Sequence, residues 1–489
     1  MKHRLLLLVF FSFISIIATQ PGYSQSASNT QGPHTKPWSH GQLEVSANGR
    51  FLQHTDGTPF FWLGDTAWLM FQRLNRKQVR EYLDDRASKG FNVIQCMVLH
   101  ELPEHDTYGS KATINSDPAR PLTTPGNDPG DPKQYDYWDN IDYCIHEAAK
   151  RGIYVALVPV WGSIVKSGQF DEAHAEKYAR FLANRFKNDP NIIWINGGDT
   201  KGSVKTKIWN TIGKTIKRID HHHLMTFHPY GRTCSSQWFH DASWLDFDMF
   251  QSGHRDYSQI GNDNPTAWKG EDNWHYVRED RKRKPLKPVM DGEPSYEGIP
   301  HGLHNPSEPR WKAYDARRYA WWSVLAGACG HTYGDNAVIQ FYEPPYKPAY
   351  GAYEFWWFAI HDRGSSQIRY VKKLMLSRPY FQRRYDEAAI VGNPGTRHDR
   401  VIAAKGRQYE YAYIATGRPF SIKLGRITGK NVKAWWYNPR TGKATLIGTF
   451  ANHGTHHFNP PGAQAEGNDW VLVLDDSAAE FSPPGILKH

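Results

Sequence analysis

From about residue 58 to 378, short apolar runs alternate with longer stretches whose apolar residues have helical spacing. This alternation predicts parallel strands joined by crossover helices, and eight strands is the number that closes a (β/α)8 TIM barrel. We therefore predict a barrel over residues 41–378. The predicted strands are Phe60–Leu63, Asn92–Val98, Tyr154–Val160, Ile192–Ile195, Leu224–Phe227, Asp246–Phe250, Pro288–Asp291 and Gly330–Tyr333. The predicted helices are Arg76–Lys89, Trp138–Arg151, Glu172–Phe186, Val204–Arg218, Trp268–Arg283, Trp311–Ala328 and Gln367–Ser377.

Three connections in this pattern are long, and they follow predicted strands 2, 6 and 8. They are Glu101–Tyr137, Ser252–Thr266 and Asp335–Arg363, and they are rich in Gly, Pro, Asp and aromatic residues. Connections of this length in a barrel are usually functional. We expect them to surround the mouth of the barrel.

The pattern changes near residues 379–387. Short apolar strands follow, separated by turns such as Asn438–Gly442, and no helical spacing is found between them. Short strands with turn signals at this spacing are typical of a small antiparallel β-sandwich. We predict this second domain over residues 385–478.

The N-terminus has the features of an export signal. A Lys-His-Arg start at residues 2–4 precedes the apolar run Leu5–Ile17, and small residues follow at the spacing of a signal-peptidase site. We predict a cleaved signal peptide over residues 1–24, a polar linker over residues 25–40, and a periplasmic or secreted protein. The apolar run is too short for a good membrane span, and none is predicted elsewhere.

Composition narrows the choice of partners. The chain carries 59 Lys and Arg against 49 Asp and Glu, a formal net charge of +10, but these charges are mostly interspersed. A nucleic-acid partner is therefore not predicted, whereas an acidic polysaccharide is weakly favoured. The 19 Trp and 26 Tyr residues offer faces that stack on sugar rings, although a single aromatic more often serves packing.

Two segments, Asn191–Thr200 and Pro288–Glu297, each run from an apolar strand into glycine and a carboxylate. A carboxylate at the C-terminal end of a barrel strand lies where such barrels place catalytic groups, and glycoside cleavage needs two of them. We predict that Asp199, after Gly197-Gly198, is the general acid and base. We predict that Glu293 is the nucleophile.

Each assignment has a structural alternative. Asp199 could simply cap the next helix, because Asp-Thr before a helical stretch is common. Asp291 and Glu297 compete with Glu293. A regular strand places Asp291 one layer deeper, which favours a structural hydrogen bond or salt bridge, and Glu297 is predicted to be a loop carboxylate or a substrate contact.

The distance between the two carboxyl groups would decide the stereochemistry. A gap of about 5 Å supports a retaining double displacement, and about 6.5–9.5 Å leaves room for water and inversion. Strands 4 and 7 carry the acid/base and the nucleophile in the large superfamily of retaining barrels. By this analogy we predict retention.

Other polar and aromatic residues follow predicted strands and could form the ring of hydrogen-bond partners and stacking faces that a sugar requires. For each one, a purely structural role is the alternative. The predicted substrate-binding residues are Asp65, Trp68, His100, Trp161, His228, Gln251, His254, His331 and Tyr333.

No metal or other cofactor is predicted. His146-Glu147 begins like a zinc-protease helix, but Lys150 stands where the second ligand belongs. The residues His100–His105 have the wrong spacing, and prolines interrupt the acidic loop Asp128–Asp136, so a calcium site is not favoured. The chain has no nucleophile-elbow, Walker or dinucleotide-binding glycine pattern, which excludes esterase, kinase and dehydrogenase classes.

Four motifs together resemble the apiosidase-like glycoside hydrolases, a family of exported bacterial (β/α) barrels. They are Gly-Asp-Thr-Ala-Trp at 64–68, Trp-Ile-Asn-Gly-Gly-Asp at 194–199, Asp-Gly-Glu-Pro-Ser-Tyr-Glu at 291–297 and Arg-Arg-Tyr-Ala-Trp-Trp-Ser-Val-Leu-Ala-Gly-Ala at 317–328. The resemblance covers roughly residues 40–378. It implies that Asp199 is the acid/base and Glu293 the nucleophile.

The resemblance also implies an activity: release of apiose from the side chains of a complex plant pectin. Residues 385–478 resemble a small β domain that commonly follows this barrel and is named for collagen binding. Nothing in these residues supports collagen as a partner, and Trp435, Trp436 and Tyr437 could equally form the packed core of the domain.

The leading hypothesis is an exported, retaining glycosidase that acts on a plant-type polysaccharide. The alternative is a non-catalytic carbohydrate- or matrix-binding protein that keeps the barrel as a scaffold. A collagen-degrading peptidase is a third hypothesis, and the absence of recognisable zinc or serine machinery argues against it.

Overall fold

The computed structural model describes residues 36–259 and 271–487. The predicted signal peptide, residues 1–24, and most of the predicted linker lie outside these ranges. The internal gap, residues 260–270, contains the start of the predicted helix Trp268–Arg283. Residues from 36 onward form one compact unit, so the barrel and the C-terminal β domain can be described together.

A small antiparallel sheet precedes the barrel. It consists of β1 (Leu43–Val45), β2 (Leu52–His54) and β3 (Pro59–Phe60). Phe60 packs edge-on against Tyr154, with ring centroids 5.3 Å apart. Because Tyr154 is the first residue of the third barrel strand, this sheet covers the N-terminal end of the barrel.

Eight parallel strands form the barrel, and one short antiparallel strand, β9, is added beside β10. Backbone N–H of Asp246 donates to Met225 O at 2.8 Å, and Thr226 Oγ1 donates to Phe247 O at 2.7 Å. These bonds join β8 to the chain entering β10, so the barrel closes and the predicted (β/α)8 fold is confirmed. The strands are β4 (Trp62–Thr66), β5 (Val93–Met97), β6 (Tyr154–Val158), β7 (Ile192–Thr200), β8 (Met225–Pro229), β9 (Thr233–Cys234), β10 (Asp248–Gln251), β11 (Val289–Asp291) and β12 (Gly330–Tyr333).

Helices surround the barrel, and α2, α3 and α5 begin with reciprocal capping boxes at Asn75, Asp136 and Asp171. Within the described residues, no helix combines the length and the apolar character that a membrane crossing requires. The helices are α1 (Met70–Arg73), α2 (Arg76–Ser88), α3 (Tyr137–Lys150), α4 (Gly162–Ser167), α5 (Glu172–Phe186), α6 (Thr206–Ile219), α7 (Ser236–Phe239), α8 (Trp274–Asp280), α9 (Ala313–Ala326), α10 (Asn336–Ile339), α11 (Trp356–Ala359), α12 (Arg363–Gln367) and α13 (Arg369–Leu376).

Two strand boundaries differ from the sequence prediction in ways that affect the site. Strand β4 starts at Trp62 and continues to Thr66, so it ends three residues beyond the predicted Leu63. Strand β7 continues through the Gly-Gly-Asp motif to Thr200, five residues beyond the predicted Ile195. Residues expected just past these strands therefore lie within them.

The C-terminal β domain contains two antiparallel sheets. The larger has the order β13-β15-β16-β21-β18-β19, and the smaller has the order β14-β17-β20. Side chains of both sheets, including Phe420, Trp436 and Leu472, share one core, as expected for a β-sandwich. The strands are β13 (Arg384–Tyr385), β14 (Ile390–Val391), β15 (Val401–Lys405), β16 (Tyr409–Ile414), β17 (Phe420–Lys423), β18 (Asn431–Tyr437), β19 (Ala444–Ala451), β20 (Thr455–Phe458) and β21 (Trp470–Asp476).

The central strands β15, β16 and β21 of the larger sheet are buried on both faces. One face packs on the smaller sheet, and the other packs on the barrel, where Tyr413 stacks on Trp321 of α9 with ring centroids 5.7 Å apart. Two buried ion pairs connect the domains: Arg317 with Asp469, and Arg378 with Asp475, each at 2.7 Å. The β domain is therefore fixed to the barrel through an extensive buried interface.

Candidate active site

A cavity of about 350 Å³ opens at the C-terminal ends of the barrel strands. This volume is within the range of small-molecule sites. Strand-end residues form its floor and walls, and residues of the long connections complete the rim. Seven of the residues predicted from the sequence line it: Trp68, His100, Trp161, Asp199, Gln251, His254 and Glu293.

Asp199 lies in a bulge near the end of β7, the fourth barrel strand. Gly197, Gly198 and Asp199 have φ angles of 89°, 125° and 46°, and the pairing with β8 is irregular between Gly197 and Thr200. Helix α6 starts only at Thr206, and its N-cap residue is Lys205. Asp199 therefore does not cap this helix, and the bulge leaves its side chain on the cavity wall.

Neither glycine of the bulge can be replaced without a clash. A Cβ atom on Gly197 would lie 2.6 Å from the carbonyl oxygen of His228, and one on Gly198 would lie 2.6 Å from the ring of Trp161. Positive φ adds a second penalty for any other residue. The glycine pair thus allows the strand to bend at this point and to present Asp199.

Glu293 follows β11, the seventh barrel strand, and its carboxylate lies between two histidines. His254 Nε2 is 3.0 Å from Glu293 Oε1 and forms a hydrogen bond. His228 Nε2 is 3.0 Å from Glu293 Oε2, but neither atom forms a hydrogen bond. We therefore describe the His228 contact as electrostatic.

Backbone N–H groups determine which ring nitrogen faces Glu293. Asp199 N–H donates to His228 Nδ1 at 3.3 Å, and Tyr296 N–H donates to His254 Nδ1 at 3.4 Å. Because a donor occupies each Nδ1, we infer that the proton of each neutral ring is on Nε2. His254 thus directs its Nε2–H at the carboxylate in a hydrogen bond, and His228 places its Nε2–H beside the same carboxylate.

The two carboxyl groups have opposite protonation tendencies. Burial raises the pKa of Glu293, but the contacts with His228 and His254 outweigh burial and lower this pKa to about 2. Burial, followed by the negative charge of Glu293, raises the pKa of Asp199. Glu293 is therefore the first of the pair to ionise, and Asp199 keeps its proton to higher pH.

Two tryptophans form an aromatic wall beside the carboxyl pair. The ring centroids of Trp68 and Trp161 are 5.3 Å apart, and the His228 ring lies 5.3 Å from Trp68 and 5.8 Å from Trp161. His228 is fully buried. It therefore contacts Glu293 from the protein interior and does not line the cavity. Trp161 is partly exposed, and it offers the more accessible stacking face.

Asp65 does not reach the cavity, contrary to the sequence prediction. It lies inside β4 and points toward α2, where it accepts hydrogen bonds from the Tyr82 hydroxyl and from Arg86 Nε, both at 2.6 Å. Both partners of the Asp65–Arg86 ion pair are fully buried. Asp65 therefore links the barrel wall to its surrounding helix.

Replacement of Asp65 by alanine should lower the free energy of unfolding by about 3–5 kcal/mol, because the Arg86 guanidinium would stay buried without its partner. Urea denaturation measures this change. The matched control is Asp84→Ala, which removes an exposed carboxylate paired with Arg151 and should cost about 1 kcal/mol or less. Equal losses for the two variants would contradict the structural role of Asp65.

His331 and Tyr333 also lie away from the cavity. Both are in β12 and face the helical layer, since alternate strand residues share a side. His331 Nδ1 is 3.3 Å from Ser323 Oγ of α9, and burial lowers its pKa to about 3. The Tyr333 hydroxyl donates to Glu297 Oε2 at 2.6 Å. His331 and Tyr333 therefore make packing contacts and internal hydrogen bonds, and they do not make the predicted substrate contacts.

The two carboxylates that competed with Glu293 have internal partners. Asp291 is fully buried and accepts hydrogen bonds from Ser252 Oγ at 2.7 Å and from Asn273 Nδ2 at 3.0 Å. Glu297 accepts from the backbone N–H of Gly364 at 2.9 Å in addition to Tyr333. Burial raises the pKa of each to about 7. Neither group lines the cavity.

Several wall residues were not predicted. Tyr230 closely follows His228 in the sequence, and Tyr296 closely follows Glu293. Their proximity to predicted site residues could have indicated that they line the cavity. Tyr350 belongs to the connection after β12 and lines the cavity rim, where partial desolvation, followed by the charges of Glu293 and Asp199, raises the pKa of its phenol. The other unpredicted polar wall residues are Arg73, Arg232, Arg255, His304 and Gln340.

Comparisons with known proteins agree with this architecture. The family described as "Apiosidase-like, catalytic domain" matches residues 46–382. The family described as "Putative collagen-binding domain of a collagenase" matches residues 385–475. A comparison with curated proteins gave no match.

Two solved structures are similar over almost the whole chain. One, described as "Glycoside hydrolase", is 47% identical, with a TM-score of 0.87 and coverage of 91% of this chain and 99% of the other. The second is a glycoside hydrolase of family 5 from Bacteroides vulgatus ATCC 8482. It is 45% identical, with a TM-score of 0.88 and coverage of 93% of this chain and 97% of the other.

The barrel and these relatives define the protein as a glycoside hydrolase, an enzyme class that hydrolyses O-glycosyl bonds. Its substrates are therefore carbohydrates. The match over residues 46–382 shows more narrowly that the chain belongs to the apiosidase-like family. The resemblance described from the sequence motifs is confirmed.

Proposed function

We propose that this protein is a retaining glycosidase with Glu293 as nucleophile and Asp199 as general acid and base. In the first step, a Glu293 oxygen bonds to the anomeric carbon while Asp199 gives its proton to the leaving glycosidic oxygen. In the second step, ionised Asp199 takes a proton from water, and the water oxygen displaces Glu293 from the sugar. Both groups then return to their initial protonation states.

The observation that carries this proposal is the opposite protonation tendency of two carboxyl groups that line the same cavity. A nucleophile must be ionised, and the low pKa of Glu293 meets that need. A general acid must hold a proton, and the raised pKa of Asp199 meets that need. Their positions at the fourth and seventh barrel strands support retention by analogy with other retaining barrels.

The histidine pair explains how a buried carboxylate remains charged. The hydrogen bond from His254 and the electrostatic contact with His228 offset the loss of water around Glu293, and the backbone bonds to each Nδ1 fix the ring orientations. The roles of His228 and His254 in this proposal are therefore to position and ionise the nucleophile. Trp161 would supply the stacking face for the bound sugar.

For the substrate, we propose a side chain of a plant-type polysaccharide, with apiose in pectin as the first candidate. The apiosidase-like family supports this choice. The cavity has room for a terminal sugar and part of its neighbour, and Arg73, Arg232 and Arg255 on its wall favour an acidic polymer. Export through the signal peptide at residues 1–24 would bring the enzyme to such polymers in the periplasm or outside the cell.

Digestion of pectin oligosaccharides and of aryl glycosides by the purified enzyme tests this proposal. Product sugars are identified by chromatography, and proton NMR during the first minutes shows the anomer released. We expect a single released sugar whose anomeric configuration matches that of the substrate. Release of the opposite anomer would overturn retention, and glycan binding without any hydrolysis would favour a non-catalytic binding protein.

A further inference from the structure

The segment Glu271–Trp274 lies between the C-terminal β domain and the catalytic strands. In sequence it belongs to the connection between β10, which leads to His254, and β11, which leads to Glu293. Glu271 and Asn273 are almost completely buried. We call Glu271–Trp274 the bridging segment.

On one side, the bridging segment is held by the β domain. His398 Nε2 contacts Glu271 Oε2 at 2.7 Å, and the guanidinium of Arg400 lies 3.8 Å from the centre of the Trp274 ring. The other nitrogen of His398 contacts Glu466, also in the β domain. His398 is thus fixed within its own domain while it binds the barrel.

On the other side, the bridging segment binds the base of the active site. Asn273 Nδ2 donates to Asp291 Oδ2 at 3.0 Å and to Tyr319 O at 2.8 Å. Asp291 also accepts from Ser252 Oγ at 2.7 Å. Asp291 and Ser252 each precede an active-site residue, Glu293 and His254, by two positions. The hydrogen bonds of Asp291 therefore join the ends of the two strands that bring His254 to Glu293.

A second contact connects His398 to the loop that follows β10 and carries His254. The Tyr257 ring lies 5.6 Å from the His398 ring, and the Tyr257 hydroxyl donates to Asp272 Oδ1 at 2.8 Å. Tyr257 stands three residues after His254. His398 therefore supports both the bridging segment and the loop that carries a histidine partner of Glu293.

We propose that the β domain, through His398 and Arg400, positions the His254–Glu293 pair in the barrel. The proposal rests on the catalytic role of Glu293 proposed above. In this view the β domain is a supporting part of the active site, and His398 is a positioning residue that never touches substrate. The interface ion pairs Arg317–Asp469 and Arg378–Asp475 attach the domain at other points, so loss of His398 should leave the domain in place.

The test uses the full-length enzyme with His398→Leu. We expect a folded protein whose kcat is lower by about 10-fold or more, with KM nearly unchanged, because small displacements of reacting groups are costly. The acidic limb of the kcat profile should move to higher pH, since a displaced His254 stabilises ionised Glu293 less. His398→Gln, which can still donate a hydrogen bond to Glu271, should restore most of the rate.

The matched control is Tyr437→Phe. It removes another hydrogen bond between the domains, from the Tyr437 hydroxyl to Tyr370 O at 3.0 Å, which lies outside the bridging segment. This variant should keep the wild-type kcat and pH profile.

Should His398→Leu fail to fold, Arg400→Met provides a second test, because it removes the contact with Trp274 and leaves Glu271 paired.

Hydrogen exchange measured by mass spectrometry gives a readout independent of activity. Peptides covering residues 250–255 and 288–294 should exchange faster in His398→Leu than in Tyr437→Phe. Unchanged exchange and unchanged kcat in the folded variant would overturn the proposal. If exchange is faster in His398→Leu but Glu293→Gln keeps full activity, the support from the β domain is upheld and the catalytic role of Glu293 is refuted.

Discussion

Replacement of Glu293 by glutamine should reduce kcat by about 10³-fold or more, a loss of at least about 4 kcal/mol of transition-state stabilisation. An uncharged amide cannot form the glycosyl ester, and its NH2 group would face the Nε2–H of either His228 or His254. Steady-state rates on an aryl glycoside, with the folded state checked by circular dichroism, measure the loss.

The matched control for this variant is Glu297→Gln. Glu297 is a neighbouring buried carboxyl group, but its partners, the Tyr333 hydroxyl and the Gly364 N–H, are both donors, and a glutamine oxygen can accept both bonds. We expect less than a tenfold change in kcat. A large loss in Glu297→Gln with full activity in Glu293→Gln would reverse the assignment of the nucleophile.

Asp199→Asn should reduce kcat/KM by about 10²–10⁴-fold on natural glycosides, whose leaving groups need a proton. The loss should be small for the first step with aryl glycosides of acidic phenols, because such leaving groups depart without protonation. Azide, a nucleophile that needs no general base, should then accelerate the second step and give a glycosyl azide. An equal loss on all substrates, without acceleration by azide, would contradict the acid/base role.

The pH profile gives an independent check of the same pair. Glu293 must be ionised, so activity should persist down to acidic pH and fall only as pH approaches its pKa of about 2. Asp199 must be protonated, so activity should fall as pH rises through its elevated pKa. The alkaline limb should disappear in Asp199→Asn, since the asparagine side chain does not titrate.

The order of the barrel elements could be predicted from the sequence because the strands are apolar and the helices are amphipathic. Predicted helix Glu172–Phe186 and predicted strand Gly330–Tyr333 coincide with the observed elements. The carboxyl-bearing strand ends were also recognisable, since glycine and a carboxylate directly after an apolar run are a local signal.

The direction of a side chain was harder to predict than its position. Asp65 was expected beyond a strand that in fact continues to Thr66, and within that strand its side chain faces α2 instead of the mouth. A shift of boundary by a few residues therefore moves a residue from the site to the barrel wall. His331 was misplaced for a different reason: its strand was predicted with the correct bounds, but the face of that strand that points toward the helices could not be derived from the sequence.

The rim of the cavity could not be derived from the sequence. Tyr350 lines the cavity from a long connection whose path depends on contacts far along the chain, such as the bond from Arg310 Nη2 to the Gly351 carbonyl. No periodic pattern specifies such a path. The same holds for the paired histidines, because the contact of His228 with Glu293 joins residues that are far apart in the chain.

The bulge in β7 also bears on why the acid at this position is an aspartic acid. With φ at 46°, residue 199 adopts a left-handed conformation that asparagine and aspartate tolerate much better than longer side chains do. A glutamic acid would therefore meet a backbone penalty here. The shape of the main chain thus selects the shorter acid, and asparagine removes the carboxyl group while keeping both the local conformation and the size of the side chain.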